Sequence, residues 1–124
     1  MRLRLELFAE DIARSIDFYT RVLGFAVLRQ DASGYTALAN GETHLGINRR
    51  VGLPADHPVQ TAAGERVGKG VEIVLAVDDV GAERDRVRAT GWPFSSDLAP
   101  RPWGASDFRL IDPDGYYVRI TSGP

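Results

Sequence analysis

Three strand-like stretches of this chain set charged side chains among apolar ones. Arg4 and Glu6 alternate with Leu3, Leu5 and Leu7. Glu72 opens the run VEIVLAV. Tyr117, Arg119 and Thr121 alternate with Tyr116, Val118 and Ile120. The period of two in a strand puts each charged set on one face. Arginine offers a planar fork of N–H donors that suits carboxylates and phosphates, and it stacks on aromatic rings. Two arginines and two carboxylates on adjoining strands also neutralise one another and brace a wall. Both roles stay open, because a braced arginine is a preorganised one. Glu72 would serve as a general base if Val74 and Ala76 desolvated it. With two arginines on the same face, the reading is an ionised carboxylate and a poor base. His44 is a candidate base or metal ligand on a strand, although a lone histidine is more often a structural hydrogen-bonder. His44 and Glu72 together would give two ligands, short of what zinc or iron needs. No catalytic residue is assigned.

The elements that must position these groups follow from periodicity. Residues 2–8 read as a strand with Arg4, Glu6 and Phe8 on its polar face. Asp11 is placed to cap a helix over residues 12–23, which Gly24 ends. Strands are expected at 25–29, 35–39 and 43–48, with Asn40-Gly41 as a hairpin turn; on the last strand, His44 and Asn48 share the polar face. Residues 49–70 hold Pro54, Pro58 and four glycines without sustained periodicity. That length is unusual for a loop in a compact domain, and it reads as a linker between two halves. His57 in this stretch reads as solvated.

The pattern then repeats. A strand spans 71–77, Asp78-Asp79 precedes a helix over 80–89, and Gly91 ends it. A strand at 92–96, beginning at Trp92, and a Pro-rich loop at 97–104 come next. The chain closes with Phe108, Leu110 and Ile111, the turn Asp112-Pro113-Asp114-Gly115, and the strand from Tyr116. Proline presets φ in that turn, the aspartates bond their own backbone, and glycine closes it. Asp11 and Asp79 lie 68 residues apart, and Gly24 and Gly91 lie 67 apart. Two βαβββ modules result, 1–50 and 71–124, joined by 51–70. The expected fold is α+β, one domain in which the two modules form a cupped mixed sheet. The concave face is where a small ligand would sit.

With 124 residues, 44% hydrophobic and 26% charged, the chain can bury a core. Its net charge of −2 gives no nucleic-acid or anionic membrane surface. The absence of cysteine excludes disulfides and thiolate metal sites. No apolar h-region follows Met1 and no apolar run reaches membrane length, so a cytoplasmic address and no membrane partner are expected.

ARSIDFYTRVLGF after an initial strand, VDDV opening a second helix, and RLIDPDGYYVRI near the end together resemble the vicinal oxygen chelate superfamily. That group includes glyoxalase I, fosfomycin-resistance thiol transferases, extradiol dioxygenases and bleomycin-resistance proteins. The resemblance covers nearly the whole chain. It implies the cupped fold and a homodimer, an arrangement that would also protect exposed strand edges.

The resemblance also implies where a metal would be held. The metal enzymes place a histidine seven residues before each helix-opening Asp and a glutamate four residues after the final turn Gly. Those positions are Arg4, Glu72 and Arg119 in this sequence. Arginine has no free donor atom and repels a divalent cation, so no metal and no cofactor are expected. RPWG is similar to the loop whose tryptophan lines the drug crevice of bleomycin-resistance proteins. The expected function is therefore a metal-free protein that binds or sequesters a small aromatic or polar molecule. Its candidate ligand-binding residues are Arg4, Glu6, Tyr35, His44, Glu72, Trp103, Tyr117 and Arg119, with Phe8 and Phe108 as further stacking surface. The alternative is a glyoxalase-like lyase or isomerase, or a dioxygenase, using His44 and Glu72.

Overall fold

The structure is a computed structural model, and it describes residues 1–123. The chain divides into two compact units, residues 1–65 and 66–124. The first holds β1 (Leu5–Ala9), α1 (Ile12–Asp17), a π-helical turn (Phe18–Val22), β2 (Ala26–Gln30), β3 (Thr36–Asn40) and β4 (Thr43–Arg49). The second holds β5 (Glu72–Val77), α2 (Val80–Ala89), β6 (Ser96–Pro100), β7 (Ser106–Ile111) and β8 (Tyr117–Ser122).

Each unit builds one four-stranded mixed sheet, in the orders β1-β4-β3-β2 and β5-β8-β7-β6. The first strand of each pairs parallel with the last, and the other pairings are antiparallel. The internal repeat therefore extends to sheet order and strand direction. Both β2 and β6 are edge strands, and both carry a register irregularity, between Val27 and Arg29 and between Ser96 and Ala99.

The helices begin and end as their flanking residues dictate. Asp11 accepts from Arg14 N at 3.2 Å, and Asp79 accepts from Ala82 N at 2.9 Å. Gly24 and Gly91 follow the helical segments at φ +74° and +82°, where a side chain would be strained. The π-helical turn fully buries Phe18, Tyr19 and Val22. Each such side chain contributes about 1.5–3 kcal/mol on burial. Phe18 meets Tyr19 edge-on, and Tyr19 meets Phe25 the same way. In the second unit Phe108, Leu110, Val118, Ile120 and Val87 form the buried face. Phe94 stacks on Phe108, which is core and offers no ligand surface.

The turn at 112–115 is organised by one carboxylate. Asp112 Oδ1 accepts from the backbone N–H groups of Asp114, Gly115 and Tyr116 at 2.8–2.9 Å. Residues 66–68 dock on this turn. Arg66 Nε donates to the Gly115 carbonyl at 2.5 Å, and Gly68 packs so closely on Tyr116 that a Cβ there would stand 2.3 Å from its ring.

Three local expectations are corrected. The strand expected over residues 2–8 starts instead at Leu5 and runs to Ala9, so Arg4 stands exposed just ahead of it. The strand expected at 92–96 starts instead at Ser96 and runs through Pro100, into the stretch read as loop. Trp92 is held short of it by its indole N–H, which donates to the Ile111 carbonyl at 3.1 Å. Asp97 lies in that strand, clamped by Arg84 at 2.8–2.9 Å and by Arg88 at 2.6 Å from α2. In the first unit the hairpin turn is Gly41-Glu42, because Asn40 stays in the ladder opposite Thr43 and donates to the Leu23 carbonyl.

Candidate functional site

The polar face of the first unit is centred on Glu6. Register places Gly46 directly beside it on β4. A Cβ on Gly46 would stand 1.9 Å from Glu6 Oε2, so the missing side chain is what lets Glu6 lie across β4. There it pairs with Arg4 Nε at 2.8 Å and accepts from the Tyr35 hydroxyl at 3.2 Å and from Asn48 Nδ2 at 2.9 Å. Arg29 lies over the Tyr35 ring at 5.4 Å. Arg4, Glu6 and Tyr35 are thus brought together. His44 is not part of that cluster. It lies exposed near the β3–β4 turn, lining an open cavity with Arg2, Leu3, Gly41 and Glu42. Phe8 sits beside the His57 ring, and His57 Nδ1 accepts from Val59 N at 3.2 Å. His57 is therefore tied into its loop rather than simply solvated.

The polar face of the second unit is built on β5, β8 and β7. Val74 pairs with Arg119, Glu72 with Tyr117 and Arg109 with Arg119. One carboxylate on β7, Asp107, is fully buried and gathers three guanidinium groups. Arg101 binds its Oδ1 through Nε at 2.8 Å, and Arg109 through Nε at 3.2 Å. Arg119 Nη1 approaches its Oδ2 only to 3.7 Å. Arg119 Nε also lies 3.1 Å from Glu72 Oε1, yet this buried atom has no directed hydrogen bond, and neither has Asp107 Oδ2. The Glu72 pair is an ion pair by distance with poor N–H alignment. Burial raises the Asp107 pKa, but the hydrogen bonds and charges of Arg101 and Arg109 outweigh it and hold the carboxyl below its ordinary value. Arg109 Nη1 donates to the Tyr117 hydroxyl at 3.0 Å, which with Asp107 pushes the arginine further above its usual range.

Trp103 completes this face. Arg101, Pro102, Trp103 and Gly104 form the tight turn between β6 and β7, closed by Gly104 N donating to the Arg101 carbonyl at 3.1 Å and Arg101 N to the Ala105 carbonyl at 2.7 Å. That turn holds the indole over the Arg119 guanidinium at 5.8 Å while 60% of the tryptophan stays exposed. Glu72, Trp103, Tyr117 and Arg119 are thus brought together in the second unit. The sequence reading missed their organiser, Asp107, together with Arg101 and Arg109. The alternation of Phe108 with Leu110 was the available signal, since it puts Asp107, Arg109 and Ile111 on the opposite face.

The glyoxalase/bleomycin resistance protein/dioxygenase superfamily model matches residues 3–120. The chain belongs to this superfamily. A protein of Vibrio cholerae serotype O1 named probable lactoylglutathione lyase is 29% identical over 120 residues, covering 89% of this chain and 81% of that protein. Among solved structures, TioX from Micromonospora sp. ML1 is 28% identical, covers 98% of both chains and superposes with a TM-score of 0.77. A protein of unknown function from Agrobacterium tumefaciens is 25% identical with a TM-score of 0.79, covering 100% of this chain and 95% of that one.

The resemblance to the superfamily's metal enzymes implies ligand positions at Arg4 in the first unit and at Glu72 and Arg119 in the second. The residues present do not fit a divalent cation. Arg4 is paired to Glu6, and Arg119 stands between Glu72 and Asp107, so a guanidinium already neutralises the one carboxylate of the set. Among the described residues, no three His, Cys, Asp or Glu side chains gather as a metal centre.

Proposed function

We propose that this chain binds a small organic molecule and carries out no metal-dependent reaction on it. The observation that carries this reading is Arg119, which stands at a superfamily ligand position between Glu72 and Asp107 and beneath the exposed indole of Trp103. A fixed cation and an accessible aromatic face suit stacking and charge recognition. Glu72 is the only carboxylate at the three positions, and its charge is taken up by Arg119. Holding a ligand needs only mass action, so sequestration follows from affinity and concentration alone.

The names of the lyase relatives favour the opposing reading, a glyoxalase-like enzyme. Elemental analysis separates the two. The purified protein is incubated with Zn²⁺, Mn²⁺, Ni²⁺ or Fe²⁺ and desalted. The expected result is no retained metal. Near-stoichiometric metal after desalting would overturn the binding reading in favour of the lyase one.

A further inference from the structure

The ligand's charge can be read from the second unit's polar face. Arg101, Arg109 and Arg119 converge on Asp107, and Glu72 is the other carboxylate in contact with them. Three guanidiniums therefore face two carboxylates. The remaining groups on this face are neutral or positive: Ser96 accepts from Arg101, the Tyr117 hydroxyl accepts from Arg109, and Arg66 lies over the Tyr117 ring at 5.9 Å.

The donor inventory points the same way. Each guanidinium has five N–H groups. Arg101 uses Nε and Nη2, Arg109 uses Nε and Nη1, and Arg119 directs Nε and Nη1 toward carboxylates. Among the described residues, Arg101 Nη1, Arg109 Nη2 and Arg119 Nη2 take no hydrogen-bond acceptor, and the three side chains remain 21%, 22% and 20% exposed. Arg119 is the least satisfied, since its buried Nε and the facing Asp107 Oδ2 both lack a directed bond. The cluster keeps positive charge and unused donors beside an exposed indole.

We propose that this face binds a planar aromatic acid, its ring against Trp103 and its carboxylate on the free N–H groups of Arg119 and its neighbours. The assignment rests on the binding-protein reading and adds the sign of the ligand's charge. Asp107 acts as the positioning residue, fixing the forks before the ligand arrives, so that less side-chain freedom is lost on binding.

The test compares three probes of one shape, 2-naphthoate, its uncharged amide 2-naphthamide and the cation 2-naphthylmethylammonium, by NMR titration of ¹⁵N-labelled protein. Naphthoate should move the Trp103 indole N–H and an arginine Nε–H to saturation. The amide should bind about tenfold more weakly, the loss expected for one charge-assisted contact. The ammonium should bind more weakly still. Arg119→Gln, checked for folding by its melt, should lower naphthoate affinity by a larger factor than it lowers amide affinity, because only the carboxylate loses a charge-assisted contact. The three-probe comparison on the unaltered protein stands even if that variant unfolds. Equal or tighter binding of the amide or the ammonium at Trp103 would overturn the anion assignment and leave the binding reading intact. Absence of any response to all three probes would overturn the assignment too, and retained metal would overturn the reading beneath it.

Discussion

Asp107 Oδ2 and Arg119 Nη1 lie 3.7 Å apart with no hydrogen bond between them, although the carboxylate is fully buried. Oδ1 of the same group is bound by Arg101 and Arg109. One oxygen of Asp107 therefore fixes two arginines, and the other leaves the third adjustable.

Removing this carboxylate's charge should be costly. Asp107→Asn leaves three guanidiniums without their shared counter-charge. The expected loss is about 1.5–3 kcal/mol, the range for hydrogen bonds to a charged group with partners still partly hydrated. Denaturant unfolding of the variant beside the parent measures it, and an unchanged midpoint would contradict the organising role.

The same carboxyl sets an acid limit. Its native pKa is lowered, whereas in the unfolded chain it titrates near the ordinary value of about 3.9. The unfolded state thus takes up the proton first as pH falls. The stabilisation is fully present above about pH 4 and is lost as pH drops through the lower native value. Asp97, hydrogen-bonded by Arg84 and further held by Arg88, is shifted in the same direction. Stability should fall steeply below about pH 4, and Asp107→Asn should remove part of that slope.

Trp103→Ala should separate binding from stability. The indole is mostly exposed, and its contact with Arg119 contributes less than about 1 kcal/mol at such a site. The melting temperature should change little, while naphthoate affinity should fall about two- to tenfold through lost stacking. Unchanged affinity by calorimetry would remove Trp103 from the site.

Two glycines predict opposite kinds of damage. At Gly46 a Cβ meets the ends of the Glu6 and Tyr35 side chains, which can swing aside. Gly46→Ala should cost about 1–2 kcal/mol in broken hydrogen bonds and leave the sheet intact. At Gly68 the Cβ meets the buried Tyr116 ring at φ +77°. Gly68→Ala should cost more, about 2–4 kcal/mol, from overpacking and backbone strain. Finding Gly46→Ala the more damaging of the two would invert this ranking.

Asp112→Ala should loosen the turn at 112–115 by about 1.5–3 kcal/mol, since three backbone N–H groups lose a side-chain acceptor, although Gly115 N keeps the residue 112 carbonyl. Asp112→Asn, which keeps an oxygen there, should restore most of it. If alanine and asparagine behave alike in thermal unfolding, the carboxylate oxygen is not what holds the turn.

What was legible in the sequence was local. Alternation placed Glu6, Glu72 and Arg119 on polar strand faces, though Arg4 falls just ahead of β1, and Asp11, Asp79, Gly24 and Gly91 marked the helix ends. Asp112 announced its own turn. What was hidden depends on register. Asp107 looks like one more polar residue beside an apolar one until β7 is paired with β8, which brings Arg109 opposite Arg119 and Asp107 opposite Thr121. Trp92 looked like the start of a strand because tryptophan favours sheets. Its indole hydrogen bond to Ile111 instead leaves the chain irregular until Ser96.

The irregularities in β2 and β6 have a consequence for how the protein behaves when crowded. All five residues of β2 are exposed, with Val27 and Leu28 among them, and its outer edge is unpaired within the sheet. Such an edge is a template for a foreign strand. Yet the break in register between Val27 and Arg29 bends the strand and interrupts its row of backbone donors and acceptors. β6 is broken in the same way between Ser96 and Ala99. An incoming strand would find only a short regular run on β2 or β6 before its ladder failed, so these two of the four sheet edges carry a built-in guard against fibrillar growth.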